Sequence, residues 1–175
     1  MKIRLLVMLL FLLAVISVYA DKLMPDFTLQ DVNGNDVNLE NALKNGPVIV
    51  DFWASWCQPC LKELPSLNEF QKKYPNITVL AITIDAPKST ARAKSEVKSK
   101  QYEFTTLFDT NQTVKGKLNV SSIPHTFIID QKGTIAFEHM GYNVGDEKVL
   151  EEELLKVLGQ LPSAATPAET TPVSE

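Results

Sequence analysis

Two near-continuous apolar runs, residues 48–53 (VIVDFW) and 77–85 (ITVLAITID), stand out along the chain. Runs of this length with this many β-branched residues predict strands covered on both faces. Between them Leu61, Leu64, Leu67, Phe70 and Tyr74 recur every three or four residues, which predicts one amphipathic helix running on from Cys57. Pro65 lies inside that helix and cannot donate to the Leu61 carbonyl, so a kink is expected there. Upstream, Phe27 and Leu29, then Val37 and Leu39, alternate with polar residues around Asn33-Gly34-Asn35-Asp36. Asn-Gly tolerates the positive φ of a tight turn, so an N-terminal β-hairpin is predicted. Residues 88–101 are polar and lysine-rich, and Ala91, Ala93 and Val97 give them the weak apolar face of a surface helix. A short strand is expected over 104–108, a short helix over 110–118, and a hairpin from 126–130 to 134–139 around Gly133. Residues 146–158 read as a last helix, with Val149, Leu150, Leu154, Val157 and Leu158 apolar and Gly159 as its stop. This order of elements is mixed α/β, one sheet with helices on both faces.

The two ends differ from this pattern. Lys2 and Arg4 precede an uncharged apolar run, 5–18, and Val18-Tyr19-Ala20 stands before Asp21, the layout of a secretory signal peptide cleaved after Ala20. A retained membrane anchor is the alternative, although the run is shorter than the ~20 residues of a usual span. No cysteine follows the run, which argues against a lipoprotein anchor. After Leu161 the chain reads PSAATPAETTPVSE, a composition that predicts disorder. The expected organisation is therefore a signal segment over 1–20, one domain over 21–160 and a tail over 161–175. A hydrophobic content of 45% suits a single globular core. Of 17 lysines and arginines, Lys2 and Arg4 fall in the signal segment, which leaves 15 against 21 acidic residues. That mild acidity, without a basic tract, gives no sign of a nucleic-acid partner.

Chemistry enters with Trp53-Ala54-Ser55-Trp56-Cys57-Gln58-Pro59-Cys60, which holds the chain's 2 cysteines directly behind a predicted strand and at the start of a predicted helix. Unpaired N–H groups and the positive end of the helix dipole favour a thiolate there, which outlines a redox site. A purely stabilising disulfide is a weak explanation, because so short a loop restricts the unfolded chain little. Structural zinc wants four ligands, and His125 and His139 lack the close pairing of common zinc motifs, so no metal or other cofactor is expected. His139 reads as structural, and His125 as a strand residue either near the site or pointing away from it.

VDFWASWCQPC, Pro65 five residues after the second cysteine, SIPHTFIID around Pro124, and Met140-Gly141 together resemble the thioredoxin superfamily. More narrowly, they resemble the exported TlpA/ResA-like thiol-disulfide oxidoreductases. The resemblance covers roughly residues 23–160, and the stretch 86–102 looks like the extra helix that exported members insert. It implies a thioredoxin-like fold, Cys57 as the attacking thiolate and Cys60 as the resolving thiol. Pro124 resembles the family's cis-proline, which would let the backbone of Ile123 pair with an extended substrate while Trp56 and Gly141 border the groove. Asp51 stands where thioredoxins carry a buried aspartate and Glu63 where ResA-like proteins carry a functional glutamate; both are expected to handle the proton of Cys60. The implied partners are a disulfide-containing exported protein, such as apocytochrome c or a metallochaperone, and a membrane thiol-disulfide electron donor of the DsbD/CcdA kind. Ser122-Ile123-Pro124-His125-Thr126 replaces the G-x-P-E-T-type loop of dedicated cytochrome c maturation members, which weakens that particular assignment. A peroxiredoxin-type thiol peroxidase and a copper-binding chaperone are the alternatives. Neither usual cysteine arrangement is present, since the one uses a proline/threonine-containing loop and the other a C-x3-C spacing.

Overall fold

A computed structural model describes residues 22–160. The expected signal segment and the C-terminal tail lie outside the described residues. Seven strands form one mixed sheet: β1 (Thr28–Asp31), β2 (Asp36–Asn38), β3 (Val48–Trp53), β4 (Thr78–Thr83), β5 (Thr105–Phe108), β6 (His125–Ile129) and β7 (Ile135–Met140). Their spatial order is β2-β1-β5-β4-β3-β6-β7, with β3–β4 and β4–β5 parallel and the remaining pairs antiparallel. β3 lies between β4 and β6, and every residue from Val48 to Trp53 is buried. Since successive side chains of a strand point to opposite faces, both faces of the sheet are covered there.

Among the described residues five α-helices accompany the sheet: α1 (Leu39–Leu43), α2 (Gln58–Lys73), α3 (Thr90–Lys100), α4 (Thr113–Lys117) and α5 (Asp146–Val157). The parallel crossovers β3–α2–β4 and β4–α3–β5 step across the sheet in the same direction, which puts α2 and α3 on one face. Asn68 of α2 accepts from the Glu103 N–H just beyond α3 at 2.7 Å. On its other side α2 meets α5, where Lys73 Nζ and Tyr74 Oη donate to Glu151 Oε1 at 2.6 and 2.7 Å. The stripe expected of α2 is the one that packs: Leu64, Leu67, Phe70 and Tyr74 are buried and Leu61 partly so. The helix is unbroken across Pro65, an exposed position, where water can serve the Leu61 carbonyl.

Most differences from the sequence reading are local and have visible causes. Leu39, expected in the hairpin, begins α1, because Asn38, the last residue of β2, also caps that helix, accepting from the Asn41 N–H at 3.0 Å. Buried Asp109 accepts from Val114 N–H and Lys115 N–H, so α4 starts later than the 110 expected. The N-terminal hairpin is also part of the main sheet, through the antiparallel pairing of β1 with β5. The inserted helix is present as α3, with Ala93 buried and Val97 packed on the core.

The approach to β3 depends on one glycine. Gly46 sits at φ 135°, and a Cβ there would lie 2.0 Å from the carbonyl oxygen of Asn76, just before β4. Backbone and strain leave no room for a side chain. Gly46→Ala is expected to destabilise the protein by roughly 2–4 kcal/mol, read from the urea midpoint of the oxidised protein. An unchanged midpoint would mean that the β3–β4 entrance adapts freely.

Candidate active site

The carboxyl end of β3 delivers the chain into Ala54-Ser55-Trp56, where a buried aspartate shapes the turn. Asp85 follows β4 and accepts from Ser55 N–H and Ser55 Oγ, both at 2.8 Å, and from Thr83 Oγ1 at 2.7 Å. A carboxylate with three donors is a satisfied anchor. It holds Trp56 in place with 60% of its surface exposed. Cys57 is the N-cap of α2, and its Sγ lies 3.3 Å from the Cys60 N–H, which it accepts. Pro59 stands in the first helical turn, where its missing N–H removes no helix bond.

Cys57 and Cys60 form a disulfide, with their Cα atoms 5.3 Å apart. Cys57 is 6% exposed and Cys60 fully buried. The loop ahead of β6 reaches the pair from across the sheet. The Ile123–Pro124 bond is cis, and the Ile123 carbonyl oxygen lies 3.9 Å from Cys57 Sγ. Gly141, at φ 86°, donates its N–H to the Pro124 carbonyl at 2.8 Å, tying the end of β7 to that loop. Cys57, Cys60, Ile123, Pro124 and Gly141 therefore meet in one place, beside exposed Trp56.

Asp51 and Glu63 meet behind the disulfide. Glu63 follows Cys60 by three positions on α2, so both face the sheet. Asp51 pairs with Thr126 across β3–β6, which sets their side chains on the same face. Thr126 Oγ1 lies 2.8 Å from Glu63 Oε1 and 3.1 Å from Asp51 Oδ1, and all three residues are fully buried. Asp51 Oδ2 and Glu63 Oε2 have no hydrogen-bond partner among the described residues. A hydroxyl carries a single hydrogen, so Thr126 can donate to one carboxyl only. The other contact is a hydrogen bond only if that carboxyl is protonated and donates to Thr126. Burial supplies the proton: it raises Asp51 well above the usual carboxyl range, helped by the charge of Glu63. Burial likewise pushes Glu63 up to about 7, against the opposing effect of the Thr126 hydrogen bond and with a further push from Asp146. The consistent arrangement runs from protonated Asp51 to Thr126 Oγ1 and on to Glu63.

The remaining polar groups sort by face. His125 is buried against Phe127, with ring centroids 4.4 Å apart, and its Nε2 lies 3.0 Å from Glu138 Oε1. Burial lowers its pKa, and its position next to Thr126 along β6 points it to the opposite face from the carboxyls. Full burial and the shared contact with Thr126 leave neither Glu63 as a solvated helix residue nor Asp51 as a lysine-paired surface carboxylate. Sequence reasoning missed Thr126 and Asp85. Thr126 could be found only from the strand register; Asp85 carried a local signal, an aspartate closing an apolar strand.

A thioredoxin-like sheet with an intrachain C-x-x-C disulfide defines the class, and comparison with known proteins agrees. The chain belongs to the AhpC/TSA family, whose model matches residues 20–138, and it is a thioredoxin-like thiol-disulfide oxidoreductase. It is 32% identical over 133 residues to a thiol-disulfide oxidoreductase ResA of Bacillus cereus, covering 76% of this chain and 75% of that one. It is 33% identical over 132 residues to the thioredoxin-like protein YneN of Bacillus subtilis (strain 168), covering 74% and 75%. Among solved structures it is similar to a DsbE-like thiol:disulfide interchange protein from Chlorobium tepidum. That match has a TM-score of 0.73 and 32% identity, and covers 79% of this chain and 97% of that one.

The raised carboxyls make stability depend on pH with a definite sign. Glu63 holds its proton in the folded protein up to about 7 and in the unfolded chain only to its ordinary value of 4.5. Its contribution is therefore fully present below about 4.5 and is lost as the pH rises through about 7. Glu63→Gln removes that loss, so the variant is expected to gain stability relative to the parent between those values, on the order of a few kcal/mol. Urea midpoints of both oxidised proteins from pH 4 to 9 read the difference, and parallel curves would contradict the raised Glu63.

Proposed function

We propose that the protein is an exported enzyme that reduces disulfides of other exported proteins through Cys57 and Cys60. The observation that carries this reading is the Cys57–Cys60 disulfide at the start of α2, with Cys57 against the surface and Cys60 above a buried acid pair. Reduced Cys57 attacks one sulfur of the substrate disulfide, giving a mixed disulfide and one substrate thiolate, which takes a proton from water. Cys60 then passes its proton to the Asp51–Thr126–Glu63 cluster, and its sulfur attacks Cys57 Sγ. That step restores the Cys57–Cys60 disulfide and releases the second substrate thiolate. Two electrons pass from the enzyme to the substrate, and a membrane thiol donor of the DsbD/CcdA kind returns them.

The roles follow from position. Cys57, at the N-terminus of a helix and accepting the Cys60 N–H, has its thiolate favoured over its thiol. The Ile123 backbone beside Pro124 offers main-chain pairing to an extended segment, as in strand addition, and Trp56 supplies an apolar flank. Gly141 keeps the opposite rim low. Such recognition suits substrates with little sequence in common; apocytochrome c and metallochaperone cysteines are the candidates. Residues 1–20 serve as the export signal, cleaved or kept as an anchor, ahead of one catalytic domain over 21–160. Residues 5–18 support export by their apolar run behind Lys2 and Arg4.

The role of each cysteine is tested by trapping. Cys60→Ser is expected to accumulate mixed disulfides on Cys57 in cells, while Cys57→Ser accumulates none and reduces no model disulfide. The potential of the pair tests direction: a value nearer the roughly −270 mV of thioredoxin than the roughly −120 mV of a strong oxidant is expected. A potential near the latter would make the enzyme an oxidant.

A further inference from the structure

Beyond the cluster at Glu63, the same row of the sheet continues toward solvent. β3, β6 and β7 pair so that Asp51 lies opposite Thr126 and Thr126 opposite His139. Directly opposed residues of antiparallel strands share a face, with Cβ atoms about 5 Å apart. His139 is therefore the next side chain beyond Thr126 on the face that α2 and α5 cover. Its Nε2 lies 3.1 Å from Asp146 Oδ2, at the first turn of α5, and the same oxygen accepts the Asn143 N–H at 2.8 Å. Exposure changes along the row: Asp51 and Thr126 are fully buried, whereas the side chains of His139 and Asp146 are 26% and 24% exposed.

We propose that Asp146 and His139 are positioning residues that set the pH at which Glu63 gains and loses its proton, and through it the pH range in which the enzyme exchanges disulfides. This rests on the role given to Glu63 above. A charged group at the water's edge, one strand beyond Thr126, acts on the buried acid by charge without touching it. Asp146 alone presents a negative charge to Glu63 and favours its protonated form; its charge is among the causes that raise Glu63. His139 Nε2 stands 3.1 Å from that carboxylate, so positive charge at this position offsets Asp146 and releases Glu63 toward the carboxylate. Charge at this part-exposed pair thereby reaches the buried acid.

The other ionisable groups around Glu63 act differently. On β3, Asp51 is buried and linked to it through Thr126. In the loop before α5, Tyr142 feels the charge of Glu63, but its hydroxyl donates to Glu147 Oε2 at 3.0 Å, which occupies both groups. On α2, Cys60 is in the disulfide and Lys62 is exposed. On β7, Glu138 points to the opposite face, toward His125. Lys148 of α5 is exposed. The Asp146–His139 pair is left as the adjustable charge.

The test follows the side-chain carboxyl carbon of Glu63 by NMR in the oxidised full chain, from pH 4 to 9, with Glu63→Gln assigning the resonance. Asp146→Asn keeps an oxygen for the Asn143 N–H and removes the charge, so the Glu63 midpoint is expected to fall by about half a unit or more. His139→Lys places a permanent cation beside Asp146 and is expected to lower it likewise. Because Asp146 is part-exposed, raising salt from about 0.02 to about 0.5 M should lower the midpoint in the parent protein and not in Asp146→Asn, a comparison that needs no new fold. A midpoint unmoved by Asp146→Asn and by salt overturns the proposal, and one moved by Asp146→Asn but not by His139→Lys removes His139 from it. The pH profile of disulfide exchange separates this from the underlying role: if Glu63→Gln leaves that profile unchanged, Glu63 has no catalytic part, whatever Asp146 does to its proton.

Discussion

One hydrogen on one hydroxyl governs the interior of this protein. Thr126 Oγ1 touches carboxyl oxygens of both Asp51 and Glu63 in a place without water-facing surface, and it can donate to only one of them. Two carboxylates side by side in such surroundings would carry an unshared charge at a cost of several kcal/mol. A proton on one of them removes most of that cost and turns the second contact into a hydrogen bond. The site can therefore hold or give up a proton near neutral pH while its heavy atoms stay in place.

The fold is arranged so that this cluster sits under the disulfide. β3 brings Asp51 through the middle of the sheet, the antiparallel partner β6 brings Thr126 opposite it, and α2 brings Glu63 one turn beyond Cys60. The same β6 begins directly after Pro124, so one short stretch, Ile123 to Thr126, carries both the backbone that faces Cys57 and the hydroxyl that joins the acids. Regular elements thus fix the part-exposed end of the disulfide and the buried acids relative to one another. Asp85 does the complementary job outside, holding the Ser55 turn so that Cys57 caps α2 with Trp56 turned out to solvent.

Strong, local signals in the chain marked the main elements and the chemistry. The apolar runs of β3 and β4, the leucine stripe of α2 and the Gly133 hairpin follow from periodicity, and the C-x-x-C opening a helix follows from spacing. The resemblance to thioredoxin-like proteins added Pro124, Asp51 and Glu63, which periodicity alone could not single out. What escaped was set by pairing across the sheet. Thr126 is an ordinary threonine in a strand until the β3–β6 register puts it opposite Asp51, and the place of His139 beside Thr126 follows only from the β6–β7 register. The short α1 was hidden for a different reason: Asn38 serves the end of a strand and the cap of a helix at once, and alternation through Leu39 masks the change.

The central claim is that the oxidised protein keeps a protonated carboxyl in its core at neutral pH. Infrared spectroscopy of the oxidised protein at pH 7 reads it directly, through the C=O stretch of a carboxylic acid, which ionised carboxylates lack. That band is predicted in the parent protein, weaker in Asp51→Asn and absent when Glu63→Gln is added to it, while the disulfide stays intact. A spectrum without a protonated-carboxyl band at pH 7 would contradict it.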